Sequence, residues 1–92
     1  MMAQHDVVRV DGNALAGILA SVFAGEVTSI VGRCRECGST APLAEAVVEL
    51  DDLCAIVLCR GCTHTLLTVM RDGEGARLTF GALERLEMSA AE

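Results

Sequence analysis

Cys34-Arg35-Glu36-Cys37-Gly38 and Cys59-Arg60-Gly61-Cys62-Thr63 are the stretches of this chain whose residue types and spacing could do chemistry. A C-x-x-C pair in a tight turn brings two thiolates to one point. Two such turns supply four sulfurs for a tetrahedral metal ion, most commonly zinc. Residues 38–58 separate the pairs, a little more than the usual spacing of about fifteen to twenty residues, and an insert of that length forms a hairpin. The expected ligands are therefore Cys34, Cys37, Cys59 and Cys62. Thiolates bind metal only when deprotonated, and four around Zn²⁺ leave a formal charge of about −2. Arg33, Arg35 and Arg60 flank the ligands and are expected to offset that charge. Gly38 and Gly61 are read as supplying the unusual backbone angles of the two turns.

Iron in a rubredoxin-like site shares this C-x-x-C-G pattern, so zinc leads and iron stays open. A thioredoxin-type redox site needs a helix starting inside the motif, whereas strands are expected to follow both pairs here. A catalytic zinc keeps an open position, commonly beside a His or carboxylate ligand; four Cys close the shell, and a non-enzymatic role is expected. Cys54 lies in an apolar run and reads as a small buried hydrophobe. His64 reads as exposed or as a neighbour of the metal ligands, His5 as part of a tail, and Asp51-Asp52 as a solvated turn. The chain has no Ser-His-Asp set, P-loop or dinucleotide fingerprint.

The elements that must position the cysteines follow from periodicity. Val7, Val8 and Val10 suggest a short strand or a tail over residues 1–10. Asp11 is placed as a helix N-cap, and Leu15, Ile18, Leu19, Val22 and Phe23 form one apolar stripe ending at Gly25. The opposite side carries small residues, so Ala16, Gly17 and Ala20 form a candidate packing or dimer face. Strands are expected over 27–33, 43–50, 53–58, 65–71 and 77–80, with turns at 51–52 and 72–75. Leu53 to Leu58 is apolar throughout, as for a strand covered on both faces. Residues 81–88 have helical composition, with Leu83 and Leu86 facing inward. The expected fold is α+β: a small zinc-ribbon-like antiparallel β-sheet with an N-terminal helix and a short C-terminal helix. Its organisation is a tail or short strand (1–10) and one domain (11–92), comprising a helix (11–24), sheet and knuckles (27–80) and a final helix (81–88).

Composition bounds the function. In 92 residues, 52% hydrophobic, there are two Phe and no Tyr or Trp, so the core must be aliphatic. A core this small gains much of its folding free energy from a metal staple. The net charge of −6, with seven Arg and no Lys, disfavours duplex binding, and the lack of aromatics disfavours base stacking. Anionic membrane surfaces are disfavoured equally. The N-terminus lacks a secretory pattern, and the apolar stretch Ala14–Ala24 is about half a membrane span. A cytoplasmic location is expected, where thiols stay reduced; five cysteines fit a metal site plus one spare.

Asp11-Gly12-Asn13-Ala14-Leu15-Ala16-Gly17, the two knuckles and Pro42-Leu43-Ala44-Glu45-Ala46 give the chain a resemblance over about Asp11 to Leu86. It resembles an uncharacterised family of short actinobacterial proteins, a domain of unknown function. The resemblance implies the four Cys as ligands and no activity. Three functions are carried forward: a structural-zinc ribbon acting by protein contact, as a homo-oligomer or accessory subunit; a rubredoxin-like electron carrier; and, ranked below both, a nucleic-acid-associated regulator using Arg33, Arg35 and Arg60.

Overall fold

The computed structural model describes residues 7–18, 29–72 and 75–87. In chain order these form β1 (Val8–Asp11), a 3-10 turn (Gly12–Ala14) running into α1 (Leu15–Ile18), β2 (Val31–Cys34), β3 (Thr40–Pro42) and a second 3-10 turn (Leu43–Glu45). Then come β4 (Val47–Leu50), β5 (Cys54–Leu58), β6 (Thr65–Asp72), β7 (Gly75–Phe80) and β8 (Leu83–Glu87). All strand pairs are antiparallel. They make a five-stranded sheet, ordered β1-β4-β5-β6-β7, and a three-stranded sheet, ordered β3-β2-β8.

Of the stretch 1–10 expected as a tail or short strand, Val8 to Val10 lie in the edge strand β1, and residues 1–6 lie outside the described residues. Asp11 closes that strand and caps the first 3-10 turn: its Oδ1 accepts from the Asn13 backbone N–H at 3.0 Å. Gly12 is buried where a Cβ would overlap the Leu43 carbonyl, so only glycine lets the first 3-10 turn lie against the second. That close approach explains why the expected strand over 43–50 begins late. The chain turns at Leu43–Glu45 to bury Leu43, and strand pairing resumes at Val47. Asp11 caps the stretch as expected, but its first turn is 3-10 and α1 begins only at Leu15; residues 19–28 of the predicted helix and of the strand after it lie outside the described residues. Ala16 and Gly17 are exposed on α1, while Ala20 lies outside the described residues. No helix among the described residues is long and apolar enough to cross a membrane.

The core lies on one face of the large sheet. Rows of facing residues run Val10–Val48–Val57–Leu67 and Leu50–Ala55–Val69–Leu78, with Val48, Val57 and Val69 essentially fully buried. Cross-strand rows of β-branched and aliphatic side chains are the unit of sheet stabilisation. β5 is not covered on both faces: Ala55 and Val57 are buried, whereas Cys54, Ile56 and Leu58 are half-buried on the other side. The turn after β4 spans residues 51–53, and Asp51 Oδ1 closes it by accepting from the Leu53 and Cys54 N–H groups at 2.8 Å each.

The expected C-terminal helix over 81–88 is strand β8, which pairs with β2. Its register shifts, setting Arg85 opposite Arg33 but Leu83 opposite Cys34. The extra residue, Glu84, is a bulge, and a bulge resets strand alternation. Leu83 and Leu86 therefore fall on the same face, both over Gly32. A spacing of three mimicked a helix here. A second bulge between β5 and β6 works the same way: Leu66 has no counterpart between the pairs Val57–Leu67 and Leu58–Thr65, so consecutive Leu66 and Leu67 are both buried.

Candidate metal centre

Each cysteine pair closes a hairpin, one in each sheet. The first knuckle joins β2 to β3 and the second joins β5 to β6. Their backbones repeat one another. The Cys34 carbonyl accepts from Gly38 N–H at 2.8 Å, and the Cys34 N–H donates to the Ser39 carbonyl at 2.9 Å. The Cys59 carbonyl accepts from Thr63 N–H at 2.8 Å, and the Cys59 N–H donates to the His64 carbonyl at 2.9 Å. Equivalent positions take the same left-handed conformation, with φ 77° at Gly38 and φ 65° at Thr63. This corrects the expectation for Gly61. Positive φ in the second knuckle belongs to Thr63, a β-branched residue that pays for that conformation. At Gly61 the backbone passes close to the opposite knuckle, a Cβ there lying 3.7 Å from Cys37 Sγ.

The four Sγ atoms of Cys34, Cys37, Cys59 and Cys62 lie within 4.8 Å of one another. The close pairs cross between knuckles, Cys34–Cys62 and Cys37–Cys59, each at 3.6 Å. Disulfide sulfurs stand about 2.05 Å apart, so these are free thiols brought together. A regular tetrahedron with metal–sulfur bonds of about 2.3 Å has edges of about 3.8 Å. The donor set fits a tetrahedral metal ion. Cys34 and Cys59 are buried, Cys62 is half-buried and Cys37 is exposed, so the centre sits at the edge of the core with one side towards solvent.

Two side chains that the spacing argument passed over or left undecided complete the site. Ser39 Oγ lies 3.2 Å from Cys37 Sγ and 3.6 Å from Cys59 Sγ. His64 Nδ1 lies 3.2 Å from Cys62 Sγ. Ser39 and His64 hold equivalent places, two residues past the second cysteine of each knuckle. That equivalence is written in the sequence, but it becomes visible only once the knuckles are aligned. Arg33, Arg35 and Arg60 each reach a backbone carbonyl beside the knuckles. Arg33 donates to the Gly38 carbonyl at 3.0 Å and pairs with Glu84, Arg35 donates to the Gly81 carbonyl at 2.7 Å, and Arg60 donates to the Glu45 carbonyl at 3.3 Å. They brace the knuckle backbones against neighbouring segments.

The thiols titrate unequally. Burial raises the Cys59 thiol, but the Ser39 hydroxyl and the N–H groups of Cys62 and Gly61 outweigh it and bring it down to about 6. Cys37 is lowered chiefly by the Ser39 side chain and backbone N–H. Cys62 receives the His64 N–H, yet burial and the three neighbouring sulfurs push it up to about 12. Four thiolates this close cannot all ionise alone, so a divalent cation is what would make the fully ionised shell stable. Cys54 stands apart from the cluster, half-buried with its Sγ 3.9 Å from Asp51 Oδ2; burial and that carboxylate raise its pKa.

Residues 2–91 match the model of a family of unknown function, DUF6510. The chain belongs to that family. No curated protein and no solved structure matches it. Membership in DUF6510 brings no activity with it, so the chemistry of the centre rests on its own geometry.

Proposed function

We propose that this chain is a non-enzymatic, zinc-ribbon-like module that holds one structural Zn²⁺ and works by protein contact in a reducing, cytoplasmic setting. The observation that carries the reading is the sulfur cluster spanning two hairpins of two different sheets. A metal there ties the sheets together where the chain has few aromatic residues to do so. Four thiolates fill a tetrahedral shell and leave no position for substrate or activated water. The involvement of Arg33, Arg35 and Arg60 with backbone carbonyls supports protein contact over a nucleic-acid surface. Native mass spectrometry of untagged protein with an absorption spectrum tests the reading. One zinc per chain and no visible colour is the expected result; a metal-free folded protein would sink it.

A rubredoxin-like iron centre carrying single electrons is the second reading. Hydrogen-bond donors to sulfur favour it, because they stabilise the extra charge of reduced iron, and exposed Cys37 gives an electron an exit. Bound iron with thiolate charge-transfer bands would establish this reading in place of the first.

A further inference from the structure

Four strands end the two sheets, and three of them carry devices that keep edges from pairing. β1 has four residues and carries Asp11 and Arg9, which is ion-paired with Glu49. β3 has three and ends on Pro42. β8 is bulged and carries Glu84, Arg85 and Glu87 among its five residues. β7 is the least protected of the four. Its six residues contain no proline and a single charge, Arg77, and they keep an unbroken register with β6 from Leu67–Phe80 to Asp72–Gly75. Leu78 is half-buried, the other five residues are exposed, and Phe80 leaves 57% of its surface to solvent. No described strand lies beyond β7.

We infer that β7 pairs antiparallel with β7 of a second copy of this chain, about a two-fold axis at Leu78, joining two five-stranded sheets into one. The inference rests on the protein-contact reading above and names its partner. Three registers could bring the middle of the strand onto itself. An axis at Arg77 sets like charges opposite each other, which is destabilising. An axis at Thr79 keeps only Leu78 to Phe80 paired within β7 and sets Arg77 opposite Gly81, whose N–H already donates to the Leu66 carbonyl. The axis at Leu78 keeps Ala76 to Phe80 paired within β7 and sets no like charges opposite each other. Leu78 then faces Leu78 of the second copy, Arg77 faces its Thr79, and Phe80 faces its Ala76, large against small. Ala76, Leu78 and Phe80 share the face that Leu67 and Val69 present to the core. The row Leu50–Ala55–Val69–Leu78 therefore continues across the axis into the same row of the second copy.

The test is sedimentation of the metal-loaded full chain across a concentration series. Pairing of five residues per strand makes a small interface, so a weak, transient equilibrium is expected. Wild type is expected as a reversible dimer of the 9.6 kDa chain. Thr79→Arg places like charges opposite each other twice and is expected to raise the dissociation constant about tenfold, while Thr79→Asp pairs with Arg77 and lowers it. Thr79 is exposed on the sheet edge, and metal content and far-UV dichroism confirm that each variant is folded. A strictly monomeric protein with one zinc per chain overturns the β7 pairing and leaves the metal staple standing. A dimer that shifts the same way in both variants, or in neither, overturns it too.

Discussion

Thr63 and Gly38 occupy the same place in two copies of one turn, and only one of them suits it. Their φ values are 65° and 77°, in a region where a Cβ crowds the following carbonyl and costs about 1–2 kcal/mol. Thr63 recovers a little by donating its hydroxyl to the Cys62 carbonyl at 2.5 Å. Thr63→Gly is expected to stabilise the protein by about 0.5–1 kcal/mol, and Gly38→Ala to destabilise it by about 1–2 kcal/mol. Denaturant midpoints of the two variants check this; equal and small effects would show that the knuckles are not conformational equivalents. The cysteines set the pH dependence. Cys59 has its folded pKa depressed from 9.0 to about 6, so its contribution to the metal-free fold is present above 9 and is lost as pH falls through about 6. Cys62 is raised from 9.0 to about 12, so its contribution is present below 9 and is lost as pH rises through about 12. Metal binding follows the same protons. At neutral pH Cys59 is already a thiolate and Cys62 must give up a proton. Below about pH 6 Cys59 must give one up as well, and the plot of log affinity against pH is expected to steepen by about one proton. Competitive zinc titrations from pH 5 to 8 would show a constant slope if that assignment is wrong.

Glycine decides how the short turns pack as elements. Gly12 sits against the Leu43–Ala44 backbone with no room for a methyl, whereas a Cβ on Gly17 meets nothing within 4 Å. Gly12→Ala is expected to cost about 2–4 kcal/mol, because the obstructing atoms are backbone and cannot swing aside. Gly17→Ala, on an exposed turn of α1, is expected to be neutral or to stabilise by up to about 1 kcal/mol. Thermal melts of the pair compare a close approach with an open position, and similar melting temperatures would contradict the packing of the two 3-10 turns. Bulges do comparable work in the strands. By resetting alternation at Glu84 and Leu66 they let Leu83 and Leu86, and Leu66 and Leu67, share a buried side that a regular strand would deny them.

At the scale of the whole molecule, the four sulfurs join a three-stranded and a five-stranded sheet. Structural zinc supplies about 10 kcal/mol or more in small domains, comparable to the entire stability of about 5–15 kcal/mol expected of a domain. Chelation is therefore expected to unfold the protein, and added zinc to restore it; an unchanged far-UV spectrum and melting temperature without metal would refute the staple. What the chain declared by itself were its local signals. The paired cysteines, the Asp11 cap, the alternating runs and the Asp51 turn are short-range features, and each depends on residues a few places apart. Helix or strand at residues 81–88, the break at Leu43, the contact of Ser39 with the Cys59 sulfur and the exposed edge at β7 depended on partners far along the chain. Leu83 and Leu86 became a strand only because β2 offered Gly32 beneath them, and Ser39 met Cys59 only once two hairpins had docked. Spacing in the sequence reports which atoms chemistry could use; tertiary contact decides which side of a strand they face.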